Sequence, residues 1–123
     1  MVIAIDFDGT CVTHEFPNVG KDIGAVPVIK DLVAAGHKII LYTMRDKQYQ
    51  KDAEQWFKDN DISLFGSNEN PDATWTTSPK VFAHLYIDDM ALGMPLKIDY
   101  NVSNRPFVDW IKVRQLLNQM QIL

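Results

Sequence analysis

The run Val2-Ile3-Ala4-Ile5 is apolar at every position and stops abruptly at Asp6-Phe7-Asp8-Gly9-Thr10. So short an unbroken apolar run reads as a buried strand, and its end is a turn with two carboxylates at the tip. Period-2 geometry puts Asp6 and Asp8 on one side of the chain and Phe7 on the other. Two anions this close resist ionising together. The pair is costly unless a cation lies between them or one member carries a proton. Gly9 supplies the backbone freedom for a sharp turn.

Behind this strand, helical and extended patterns alternate. Residues 11–24 are irregular, with Pro17, Gly20 and Gly24, and read as a flap or tight hairpin over the strand tip. Ala25, Val28, Ile29, Leu32 and Val33 fall at helical spacing, with Pro27 in the first turn and Gly36 as the stop. Residues 38–43 read as a second buried strand. A helix capped by Asp46 follows, with Tyr49, Ala53, Trp56 and Phe57 as its inward stripe. Residues 62–65 suit a short third strand, 66–79 a surface loop near the site, 83–87 a further strand and 97–100 a last one. Pro106 is expected to open a C-terminal helix with Trp110, Val113, Leu117 and Met120 on one face. Ile111 and Leu116 lie off that face, which points to burial on two sides or to self-association, so a homo-oligomer is a candidate partner state.

Strands separated by helices predict an α/β fold, a mainly parallel sheet covered on both faces. The 123 residues suit one domain, 1–123. Net charge is −4 with scattered Lys and Arg, which argues against a nucleic-acid groove. The single cysteine, Cys11, excludes an internal disulfide and suits a reducing compartment. No apolar stretch approaches the roughly 18 residues of a membrane span. Without a basic leader before the first strand, a cytoplasmic location is expected and no membrane partner.

In open parallel sheets, ligands bind beyond the carboxyl ends of the strands. Strand one ends at Asp6 and Asp8, strand two at Thr43, and the 83–87 run at Asp88-Asp89; Lys80 precedes that last run. Burying such a set without a partner would cost several kcal/mol, roughly the penalty for an unpaired ion.

Asp6-Phe7-Asp8-Gly9-Thr10 resembles the first motif of the haloacid dehalogenase (HAD) superfamily of phosphohydrolases. Thr43, Lys80 and Asp88-Asp89 resemble its second, third and fourth motifs in order and position. The resemblance implies a Rossmann-like, HAD-like three-layer sandwich. The short spacings leave no room for a cap domain, as in the small capless branch. It also implies a Mg²⁺-dependent phosphatase acting on a phosphate monoester. Asp6 would form an aspartyl-phosphate, and Asp8 would serve as general acid and base. Mg²⁺ would be held by the Asp6 carboxylate, the Asp8 backbone carbonyl and an acid of the last pair. Asp89 is favoured as direct ligand, with Asp88 acting behind it or through water. Thr43 and the Met44 N–H would bind a phosphoryl oxygen, and Lys80 would neutralise nucleophile and phosphoryl group. Arg45 would reach a substrate anion or pair with a nearby acid.

The remaining candidates read more simply as structure. His14, His37 and His84 lack metal-ligand spacing. Cys11 reads as flap packing, and Trp56 and Trp110 as core. Trp75 lies in the polar loop, where exposure would suggest substrate contact. Two other functions share some features: a receiver-like phospho-acceptor domain, and a metal- or phosphate-binding module without catalysis. The intact Asp8 argues against the second, since binding alone needs no second acid. The phosphorylated substrate itself carries no signature in the flap or the 66–79 loop.

Overall fold

A computed structural model describes all residues, 1–123. Four strands, β1 (Val2–Ile5), β2 (Lys38–Leu41), β3 (Gly66–Ser67) and β4 (Leu85–Ile87), form a parallel sheet in the order β3-β2-β1-β4. The helices are α1 (Ala25–Ala34), α2 (Lys47–Asp59) and α3 (Trp110–Gln119). A two-stranded antiparallel ribbon, β5 (Leu96–Lys97) with β6 (Phe107–Val108), precedes α3. No helix is long and apolar enough to cross a membrane.

The strand alternation divides the core. Ile3, Ile5, Ile39 and Leu41 join residues from all three helices in the main apolar cluster. Ala4 and Ile40 face the other way, onto Val81, with Phe65, Ala83 and Tyr86 packed alongside. The expected three-layer sandwich is therefore not realised, since the helices gather on one face. The connection from β3 to β4 crosses the opposite face as coil, because residues 68–84 are rich in Asn, Pro, Ser and Thr and carry no helical stripe.

Several expected elements are shifted. β3 begins at Gly66 rather than within 62–65, and so takes the start of the expected loop. The 97–100 strand shrinks to β5, which pairs with β6 outside the main sheet. α3 starts at Trp110 rather than at Pro106, because Asp109 is its N-cap and accepts from the Lys112 N–H. Tyr49 is largely exposed and stacks edge-on against Phe16 of the flap, and Met120 lies exposed at the end of α3. Ile111 and Leu116 are also exposed, which removes burial on two sides as their explanation.

Register sets the working edge of the sheet. Ile5 pairs with Leu41 on one side and with Ile87 on the other. The three longest strands thus end level, and the Asp6 N–H extends the ladder by donating to the Ile87 carbonyl at 2.9 Å. The chain passes from β1 to β2 to β3 in one direction and then crosses to β4 beyond β1. Strand order reverses between β1 and β4, where open α/β sheets form their ligand crevice. Asp6 and Asp88 are the first residues past those two strands.

Candidate metal and phosphoryl site

Asp6, Asp88 and Asp89 converge at this crevice. One carboxylate oxygen from each lies within 4.8 Å of the others. The Thr10 hydroxyl donates to Asp6 Oδ2 at 2.8 Å and accepts from the Asp89 N–H at 3.0 Å, tying the first motif to the last. Burial, and then the charge of Asp88, push the Asp6 carboxyl up to about 8. Burial also raises Asp88, with Asp89 adding to the effect. The crowding the sequence suggested between Asp6 and Asp8 falls instead between Asp6 and the Asp88-Asp89 pair.

The turn carrying Asp8 is built from outside as well as within. Gly9 adopts φ +79°, and a Cβ there would collide with the His14 ring and Asp89. The Val108 N–H donates to the Gly9 carbonyl at 3.0 Å, and the Trp110 indole N–H to the Thr10 carbonyl at 2.6 Å. Trp110 is therefore core and a brace for the first motif. The flap closes as a hairpin, with the Thr13 N–H donating to Lys21 O and the Ile23 N–H to Cys11 O. Its Asp22 Oδ1 accepts from the Ala25 N–H at 3.0 Å, capping α1. Cys11 is fully buried, and burial pushes its thiol further above the usual range, which makes it inert.

Asp8 does not join the other acids. Both of its oxygens accept from Arg45, Oδ2 from Nε and Oδ1 from Nη2, each at 2.7 Å. Arg45 is only 4% exposed and also donates to the flap carbonyls of Pro17 and Asn18. Of the two roles the sequence left to Arg45, the structure realises pairing with an acid; substrate contact is closed to a guanidinium so enclosed.

Thr43 stands at the end of β2. Its N–H donates to Asn68 Oδ1 at 2.8 Å and its hydroxyl oxygen accepts from the Arg45 N–H at 3.1 Å, leaving the hydroxyl proton to donate. Met44 is almost wholly exposed beside it. Lys80 is the clear departure. It is exposed, its ammonium sits 5.9 Å from the Tyr86 ring centroid on the coil-covered face, and it forms no ion pair with the site acids. Val81, the next residue, packs on Ala4 and Ile40 at the middle of the sheet, so the Lys80 backbone lies over the coil-covered face.

Two residues enter the site without any signal in the sequence. His14, on the flap, brings Nε2 to 3.2 Å from Asp89 Oδ2. Asn68, just past β3 at φ +55°, orients Thr43. Neither has a local motif; only the pairing of distant segments reveals them. Trp75 is 73% exposed and meets Phe82 edge-on, away from the acids.

The three carboxylates supply hard oxygen donors, and the Asp8 backbone carbonyl accepts no hydrogen bond within the chain, so the site suits an oxygen-seeking divalent cation. No protein-family model and no curated protein matches the chain. Among solved structures, a conserved protein from Bacteroides thetaiotaomicron matches with a TM-score of 0.79 at 30% sequence identity, covering 98% of this chain and 91% of that one. This chain belongs to the family of that conserved protein. The shared architecture extends over nearly the whole chain, so the sheet edge that carries the acids lies within the matched region.

Proposed function

We propose that the chain is a divalent-cation-dependent phosphohydrolase of the capless HAD type, with Asp6 as nucleophile. The observation that carries this reading is the meeting of Asp6, Asp88 and Asp89 at the β1/β4 switch point, with Asp6 held by Thr10. Asp6, the Asp8 carbonyl and the Asp88-Asp89 pair would hold Mg²⁺, which when bound supplies positive charge to offset repulsion between carboxylate and phosphate.

Asp6 attacks phosphorus, the bond to the leaving oxygen breaks, and an aspartyl-phosphate forms. Water then attacks that phosphorus and the bond from the Asp6 carboxyl oxygen to phosphorus breaks, returning the carboxylate and releasing inorganic phosphate. The Thr43 hydroxyl and the neighbouring Met44 N–H orient the phosphoryl oxygens. Asp8 gives a proton to the leaving oxygen and takes one from the attacking water. Those transfers require the Arg45 pairing to open.

The test is hydrolysis of p-nitrophenyl phosphate with Mg²⁺. Turnover that is lost on chelation and absent in Asp6→Asn supports the assignment; undiminished turnover in Asp6→Asn refutes it.

One observation favours a second reading, a cation-binding module without turnover. Lys80 is not at the acids and both Asp8 oxygens are occupied, so two expected catalytic parts are not in working position. Cation-dependent stabilisation with no turnover across a broad panel of phosphate esters would select that reading. A long-lived adduct formed from acetyl phosphate would select the receiver-like one.

A further inference from the structure

We propose that Arg45 is the positioning residue of this site, its one guanidinium setting the Asp8 carboxylate and the flap together so that neither moves without the other. This deepens the phosphohydrolase reading, in which Asp8 must turn toward the reacting atoms. The guanidinium spans both Asp8 oxygens at 2.7 Å, the Asn18 carbonyl at 2.7 Å and the Pro17 carbonyl at 3.3 Å. It lies 5.1 Å from the ring centroids of Phe7, below, and Phe16, on the flap. An ordinary ion pair needs none of the flap contacts. A planar group with five donors is what can serve a carboxylate and two carbonyls at once; an ammonium cannot.

Turning Asp8 away strips two N–H groups of their partners in an enclosed place, which is costly. Lifting the flap removes the carbonyls and the Phe16 face from the same guanidinium. Movement of either element therefore loosens the other.

The test is hydrogen exchange at the Thr13 and Ile23 amides, which close the flap hairpin, with α1 amides as internal standard. Arg45→Gln and Asp8→Asn are each expected to speed exchange at these two amides by about tenfold, and the double variant no more than the faster single one. Unchanged flap exchange in Asp8→Asn, or effects that multiply in the double variant, overturns the proposal. If Arg45→Gln does not fold, Asp8→Asn alone decides the matter at the same amides.

Exchange is read without substrate or cation, so a chain inactive on every phosphate ester ends the phosphohydrolase reading and leaves this one still decided. In the active chain, Arg45→Lys weakens a pairing that turnover must open and is expected to change kcat for p-nitrophenyl phosphate about tenfold with KM changed less than about twofold. An unchanged kcat overturns the positioning role.

Discussion

Asp6 is the residue whose physics is most exposed to measurement. Its carboxyl titrates near 8 in the folded chain, against 3.8 as the ordinary value. Between those two pH values the folded form keeps a proton that the unfolded form has lost. Native stability from this group is therefore complete below about pH 4 and is lost as pH rises through about 8. A cation-free chain should show melting temperatures that fall over this interval, by an amount corresponding to a few kcal/mol, roughly. Asp6→Asn should flatten the profile and stabilise the chain at pH 8, while abolishing turnover; thermal melts across pH check both. Gly9→Ala should cost about 1–3 kcal/mol, because φ +79° disfavours a side chain and the new methyl group meets His14 and Asp89. Denaturant titration measures that loss.

At this scale, Asp6 and Asp88 were legible in the sequence because each follows directly on an apolar run, and Asp89 because it is the next residue. Lys80 was not, for a geometric reason. The segment before β4 lies back over the sheet face, with Val81 on Ala4 and Ile40, and the Lys80 ammonium lies near the Tyr86 ring instead of pairing with an acid. That side-chain placement depends on tertiary packing with Tyr86 and has no local signature in the sequence.

Among the elements, β1, β2, α1 and α2 were readable because apolar runs and 3.6-residue stripes report burial directly. β6 was not, since two residues have no detectable period. Its role emerges only through contacts, because β6 and the start of α3 brace the Asp8-Gly9-Thr10 turn. Trp110→Phe keeps the ring packing but leaves the buried Thr10 carbonyl without its indole donor. The expected cost is about 1–3 kcal/mol. A chemical-denaturation midpoint that stays at the wild-type value would contradict the bracing role. The absence of a helix between β3 and β4 was likewise available in principle, since residues 68–84 show turn chemistry and no stripe. The general expectation of helices on both faces of a parallel sheet overrode that local pattern.

For the whole molecule, the consequence of the site is linkage. An ion that binds the folded chain alone raises its stability by mass action, about 2.7 kcal/mol at a hundredfold excess over Kd. Mg²⁺ is therefore expected to raise the melting temperature, increasingly as pH rises through about 8 and Asp6 loses its proton, and to do so much less in Asp6→Asn. Calorimetry with and without the ion checks this. The central claim, that phosphorus passes through a covalent acyl phosphate on Asp6, is tested most directly by trapping. The chain is mixed briefly with Mg²⁺ and an aryl phosphate, reduced with borohydride and mapped by mass spectrometry. The account predicts that the aspartate at position 6, and no other, is converted to homoserine. Turnover of the substrate with position 6 unmodified, or with the label on another acid, contradicts it.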